Sequence, residues 1–293
     1  MDGQASDRFV PCLNLFSLWG LPDYSTGPEM DAPDLLTKLK AAGYAAIQGL
    51  SSEGAAAAGM AAFGVARLTE PHEADAIART QRDAGFAATT LIAGHGLEAD
   101  GDVDGLCAAI VEPAERYGHP LLIETHRASM TQNIRRTIDA IYRFPELRFT
   151  ADLSPWYVGH DLPSGDFDAK AAFLSPFFER VRLIQGRIGT PTCMQVNLTG
   201  ADDARPFVDD YRRLWRECFF GFLAHADPAE EIAFAPELLP WIADFNGIAQ
   251  HLYFAPTQRN AEGLEIETGD RWQQAGYLVD IGRTVFAEVC SRT

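Results

Sequence analysis

Three times in the first half of the chain, a helical pattern closes on a glycine and a short apolar run follows at once. Ala41-Ala42-Gly43-Tyr44 precedes Ala45–Ile47, Asp83-Ala84-Gly85-Phe86 precedes Ala87–Ile92, and Arg116-Tyr117-Gly118-His119 precedes Pro120–Ile123. Glycine reaches the left-handed conformation that ends a helix without a steric penalty, so each junction reads as a helix C-cap leading into a strand. Repeated helix-to-strand junctions predict alternating elements and therefore a parallel sheet. Apolar runs recur at about 9–16, 44–49, 63–68, 87–93, 120–125, 147–153, 181–188 and 231–237. Eight runs in 293 residues suit a (β/α)8 TIM barrel, which takes about 250 residues. The expectation is an α/β chain with one barrel domain over 1–293 and a C-terminal helical extension, about 245–293, packed on it.

Helical patterns fall between most of the runs. Asp34–Ala42 and His72–Ala84 are two, and Thr131–Phe144 places Ile134, Ile138, Ile141 and Tyr142 at helical spacing. Arg205–Leu223 carries a stripe of Phe207, Tyr211, Leu214, Trp215 and Cys218, which reads as a core face rather than a cofactor box. The alanine-rich stretch Gly54–Gly64 reads as a short helix or loop joining two strands. Leu198–Asp203 and Ala255–Gly269 read as loops. The late region shows no clear strand, and Arg271–Arg283 reads as a closing helix.

The charge balance limits the partners. With 24 Lys+Arg against 41 Asp+Glu the net charge is -17, which argues against nucleic acid and anionic membranes, since both require a basic face. Five widely spaced cysteines with no Cys-x-x-Cys read as free thiols of a reducing compartment. Met1–Arg8 lacks a basic patch followed by an apolar core, and no apolar stretch is long enough to span a bilayer, so a cytoplasmic protein is expected. Three nucleotide or nucleophile signatures are absent: Gly-x-Gly-x-x-Gly after an early strand, the P-loop and the Gly-x-Ser-x-Gly elbow.

In a barrel, chemistry gathers at the C-terminal ends of the strands. Here those ends read Gly94-His95-Gly96, Glu124-Thr125-His126-Arg127, Asp152-Leu153-Ser154-Pro155-Trp156, Gln185-Gly186-Arg187-Ile188-Gly189 and Pro236-Glu237. Residues two apart on a strand share a face, so Glu124 and His126 point the same way. Glu124, Asp152 and Glu237 each follow an apolar run in which an unpaired charge is expensive to bury. Convergence on a divalent cation explains all three, and oxygen donors suit Mg2+ or Mn2+. The alternative is that each carboxylate pairs with a nearby arginine or caps the next helix.

These strand ends resemble those of the xylose isomerase-like TIM barrels, a superfamily of sugar isomerases and epimerases that also includes inosose dehydratase and endonuclease IV. The carriers are Ile123–Arg127, Ala151–Trp156, Gln185–Gly189 and Pro236-Glu237, and the likeness is best from about 120 to 240. The resemblance implies metal ligands at Glu124, Asp152, Gln185 and Glu237, with Glu124 and Glu237 also the catalytic acid and base. It implies substrate contacts at Arg187, with His126, His95 and Trp156 as further candidates for the substrate. The chain departs from the pattern at two positions: Gln185 stands where histidine is usual, and Pro155 where a substrate-binding histidine is common. The implied activity is a metal-dependent isomerase or epimerase that abstracts a proton beside the carbonyl of a small sugar. A dehydratase or other lyase on a keto-sugar or inosose begins with the same step. A degenerate, non-catalytic sugar-binding barrel is the reading favoured by the two departures. Any of these is compatible with a homo-oligomer. A nuclease of the endonuclease IV type would need more metal-binding histidines and a less acidic surface.

Overall fold

A computed structural model of the chain describes residues 7–292; most of Met1–Arg8, on which the expectation of a cytoplasmic protein partly rested, lies outside the described residues. Eight parallel strands close into a barrel in chain order. They are β1 (Phe9–Asn14), β2 (Ala46–Gly49), β3 (Ala61–Leu68), β4 (Ala88–Ala93), β5 (Leu121–Glu124), β6 (Arg148–Ala151), β7 (Val181–Gly186) and β8 (Ile232–Pro236). Pairing of β8 with β1, in the register Phe9 to Ile232, leaves no edge in the ring. All eight expected runs are strands, and the three junction glycines have the positive φ that the C-caps require.

The helices pack outside. They are α1 (Leu35–Ala41), α2 (Ala74–Asp83), α3 (Asp100–Tyr117), α4 (Ile134–Arg143), the short α5 (Ser154–Gly159), α6 (Phe167–Phe173) and α7 (Ser175–Phe178), then α8 (Pro206–His225) and α9 (Arg271–Cys290). Between β2 and β3 the chain makes turns only, and β3 begins at Ala61, inside the alanine-rich stretch expected to be a connection. The expected stripe of α4 is also corrected. Ile134, Ile138 and Ile141 are buried, whereas Tyr142 is 71% exposed. The C-terminal helix α9 packs on the barrel after β8, as expected. The region before it is not strandless. Two antiparallel hairpins, β9 (Ile242–Phe245) with β10 (Ile248–His251) and β11 (Thr257–Arg259) with β12 (Glu265–Glu267), lie between β8 and α9.

Strand alternation divides the core in two. One set of strand side chains, with Phe9, Leu13, Ile47, Leu91, Ile123, Phe149, Ile184 and Phe234 among it, joins the helices in the outer layer. There Phe9, Trp215, Phe219, Phe234 and Phe286 stack ring on ring, with Trp215 and Phe234 at 5.0 Å and 88°. Burial of each such ring is worth roughly 2–3 kcal/mol. Gly282 of α9 makes the close approach of helix to sheet feasible, since a Cβ there would meet the Phe234 ring at 2.9 Å. The other set fills the barrel: Val10, Cys12, Ala46, Phe63, Ala88, Leu122, Leu183, Ala233 and Ala235. Its residues are mostly small, as a narrow barrel requires. Among the described residues no helix is long and apolar enough to cross a membrane, and no disulfide joins any pair of the described cysteines.

Candidate active site

The period of two along each strand carries the apolar interior upward into a polar layer. Two residues beyond Cys12, Ala46, Ala88, Leu122, Leu183 and Ala235 come Asn14, Gln48, Thr90, Glu124, Gln185 and Glu237. A hydrogen-bonded chain crosses the barrel at this level. Asn14 Nδ2 donates to Gln48 Oε1 at 3.0 Å, Gln48 Nε2 donates to Thr90 Oγ1 at 3.0 Å, and Thr90 and Thr150 share a hydroxyl bond of 2.8 Å. Gln185 Nε2 also reaches Gln48 Oε1, at 3.4 Å. The inward polar residues Asn14, Gln48, Thr90 and Thr150 were not singled out in the sequence. The signal was present for Asn14 and Gln48, each the one polar residue of an otherwise apolar strand.

Above this floor lie three carboxylates and one guanidinium. Glu124 is the last residue of β5, Asp152 follows β6, and Arg187 and Glu237 follow β7 and β8. Because β7 lies between β6 and β8 in the ring, Arg187 projects between the other two strand ends. Its Nη2 donates to Asp152 Oδ2 and stands 3.2 Å from Glu237 Oε2. The second oxygen of Asp152, Oδ1, accepts from the Ser154 amide at 3.0 Å and its hydroxyl at 2.8 Å. Both oxygens of this fully buried side chain are thus engaged. Seven buried polar atoms among the described residues have no hydrogen-bond partner, and three of them lie here: Gln185 Oε1, Arg187 Nε and Glu237 Oε2, the last within ion-pair distance of Arg187.

Electrostatics follows from burial and crowding. Burial drives the Glu124 carboxyl well above the ordinary carboxylate range, and the nearby Glu237 and Asp152 charges add to it. Arg187 and the Gln185 amide only partly offset this. Glu237 is also raised, by burial first, with Arg187 pulling the other way. Burial would lower the Arg187 guanidinium, but the Asp152 and Glu237 charges more than reverse it.

The expected metal centre is not assembled. Ligands for Mg2+ or Mn2+ must converge on one point at about 2.0–2.6 Å. Among the described residues no group of three or more His, Cys, Asp or Glu side chains is placed to do so. Asp152 spends its oxygens on Ser154 and Arg187, and the guanidinium lies between Asp152 and Glu237 where a cation would have to lie. Glu124, Asp152, Gln185 and Glu237 are gathered at one place, but as donors they do not fit the ion.

The remaining candidates divide. His126 is half-buried beside the cluster, its Nδ1 accepting from the Ala128 amide at 3.2 Å. Burial, with the Arg187, Arg127 and Arg67 charges, holds its ring below the ordinary histidine value against the pull of Asp152. His95 is not in the cluster. Its exposed ring lies 3.3 Å from Glu98 and lines a separate surface cavity with Thr69 and Glu70. Trp156 is corrected: it has 0% exposure, packs on Phe177 at 4.8 Å, and its indole N–H donates to Thr131 O at 2.7 Å. A ring so enclosed offers no face to a substrate. Its effect is indirect, because Thr131 Oγ1 donates to Glu124 O at 2.7 Å and so fixes the end of β5.

Comparison with known proteins adds a fold. No family model matches the chain, and no curated protein matches it in sequence. Among solved structures, an L-ribulose 3-epimerase superposes with a TM-score of 0.54 at 14% identity, over 96% of this chain and 95% of that one. What is shared is the barrel fold, which xylose isomerase-like TIM barrels also have. A protein of that type from Mycobacterium smegmatis, in complex with magnesium, gives 0.52 at 11% identity over 96% of this chain and 99% of its own. A sugar phosphate isomerase/epimerase from Parabacteroides distasonis gives 0.53 at 11% identity over 96% and 95%. In this barrel the ends of β5, β6, β7 and β8 meet at the mouth, with the ion pair Arg187–Asp152 among them.

Proposed function

We propose that the chain, as one barrel unit, binds a small polyhydroxylated carbonyl compound, a sugar or sugar derivative, and moves a proton beside its carbonyl as an isomerase or epimerase. The observation that carries this is the pair of buried atoms without a partner, Gln185 Oε1 and Arg187 Nε, beside the two carboxyls Glu124 and Glu237. A buried polar atom left without a partner is costly, and an oxygen-rich ligand supplies what each lacks. Arg187 Nε–H donates to a carbonyl or enediolate oxygen, and Gln185 Oε1 accepts from a neighbouring hydroxyl.

The two glutamates differ in the way an acid and a base must. Glu237 lies against Arg187, which favours its anion, so it takes the proton from carbon. Glu124 faces other carboxylates in a drier place, which favours its protonated form, so it gives a proton back. As negative charge develops on the carbonyl oxygen, the fixed Arg187 N–H stabilises it without reorganisation. The superposition on an L-ribulose 3-epimerase supports a sugar as the ligand class.

The test is exchange. The protein is incubated in D2O with a panel of ketoses, aldoses and inososes, and deuterium at the carbon beside the carbonyl is read by NMR. Exchange is expected with at least one sugar, falling about 10²–10⁴-fold in Glu124→Gln and in Glu237→Gln. Absence of both exchange and any sugar-dependent rise in Tm across the panel sinks the reading.

A further inference from the structure

We propose that Arg187 is the built-in cation of this barrel mouth, holding the place of a divalent ion, so that the site takes its oxygen-rich ligand with no metal bound. The inference deepens the reading of the site as a sugar-binding mouth, and the sugar screen and the metal measurement fail independently.

Position comes first. Arg187 is 5% exposed and reaches the mouth from β7, whose neighbours β6 and β8 carry Asp152 and Glu237. Its Nη2 bonds the one and stands 3.2 Å from the other. A cation bound to the same two oxygens would meet the guanidinium head-on in a buried, low-dielectric place, where like charges repel strongly. A metal ion and the guanidinium therefore exclude each other at Asp152 Oδ2 and Glu237 Oε2.

Donor type comes second. Asp152 Oδ1 is held by two bonds from Ser154, which leaves one oxygen of that side chain for a cation, and Arg187 has it. Gln185 brings a neutral amide, anchored through Nε2 to Gln48 in the polar floor. A neutral oxygen is a weaker donor to a hard cation than a carboxylate, but a good acceptor for a hydroxyl. A delocalised guanidinium, permanently charged, with a free Nε–H at its inner edge, both neutralises carboxylates and donates to a ligand oxygen. A bare ion cannot be fixed to the chain in that way.

The measurement is Mn2+ binding by the full chain after treatment with a chelator, read by EPR of free Mn2+ and by Tm with and without Mn2+. Wild type is expected to show no saturable binding up to about millimolar Mn2+ and a Tm shift under about 1 °C. Arg187→Met strips the cation from three carboxylates and is expected to gain Mn2+ binding, with a rise in Tm of several degrees over its own metal-free value. Arg187→Lys keeps a cation and is expected to stay indifferent to Mn2+; this variant serves where Arg187→Met does not fold. One equivalent of Mn2+ bound by wild type and lost in Glu237→Gln overturns the proposal. So does a folded Arg187→Met that stays silent, or an Arg187→Lys that binds Mn2+ saturably.

Discussion

Arg187 is locked to Asp152 by a hydrogen bond between two side chains that are 5% and 0% exposed, and the same guanidinium nitrogen stands 3.2 Å from Glu237. A buried ion pair adds little net stability compared with an apolar pair. Removing one partner is another matter, because it leaves the other charge buried alone, at about 3–5 kcal/mol. Arg187→Met is therefore expected to lower Tm by on the order of 10 °C. The loss is partly recovered when Asp152→Asn is added, because the stranded charge goes with it. Thermal or denaturant unfolding of the two single variants and the double variant measures this. Additive losses would show that the two side chains do not act as a pair.

Glu124 fixes the sign of one pH dependence. Its folded carboxyl is raised above the ordinary value of 4.5, by burial first and then by Glu237 and Asp152. The stability this lends is fully present below the unfolded value and is lost as pH rises through the folded one. The loss is about 1.4 kcal/mol per pH unit while the folded form must keep its proton and the unfolded form need not. Glu124→Gln removes the titration, so its Tm is expected to be near or below wild type at pH 4.5 and to overtake it progressively toward pH 8. His126, with its lowered ring, works in the opposite direction: its contribution is present above its unfolded value and fades as pH falls. The informative quantity is therefore the difference between variant and wild type at each pH. Parallel profiles from pH 4 to 9 would refute the raised Glu124.

Much of the barrel was legible in the sequence because its strands are buried on both faces. A run such as Leu121–Glu124 is apolar throughout until it reaches the mouth, and a glycine with positive φ marks the preceding helix end. The hairpins before α9 lack that signal. The four residues of β10 are all exposed, so no buried face imposes a pattern. The one available cue was Asn246-Gly247, whose positive φ values of 56° and 82° make the two-residue turn between β9 and β10. At the site, the strand ends were legible one at a time, since each is a short-range pattern. Which of them meet was not. That depends on the order of β6, β7 and β8 around the ring, which brings Arg187 into the space expected to hold a metal. Trp156 shows the same limit. It was expected among the substrate contacts, but α5 turns the ring into the core against Phe177.

Glu237 is held by a residue far from it in sequence. Ser17, in the short 3-10 helix Leu15–Leu18 that follows β1, places its hydroxyl between the two peptide groups that flank Glu237. It donates to Pro236 O at 3.1 Å and accepts from the Leu238 amide at 3.0 Å. Ser17 is in turn held by Arg271, at the start of α9, whose Nη1 donates to Ser17 O at 2.8 Å. The Nη2 of the same arginine donates to Trp19 O and Gly20 O, each at 2.7 Å. Arg271 is fully buried and paired with Glu267 at 2.8 Å, and Glu267 also accepts from the Tyr253 hydroxyl. The chain of contacts thus runs from β12 through α9 and the first loop to the strand end that carries the proposed base. Arg271→Met leaves Glu267 buried without its cation and is expected to lose about 3–5 kcal/mol. Ser17→Ala is the milder and more telling change. It deletes one hydroxyl and leaves one carbonyl and one amide unsatisfied, at about 1–3 kcal/mol each. Freed of that clamp, Glu237 loses its alignment with Arg187, while Glu124 on β5 keeps its own support from Thr131. Sugar-dependent exchange in D2O is therefore expected to fall more in Ser17→Ala than in a surface variant of equal Tm loss, such as one in α2. Equal exchange in the two at matched stability would show that Ser17 supports the fold but does not position Glu237.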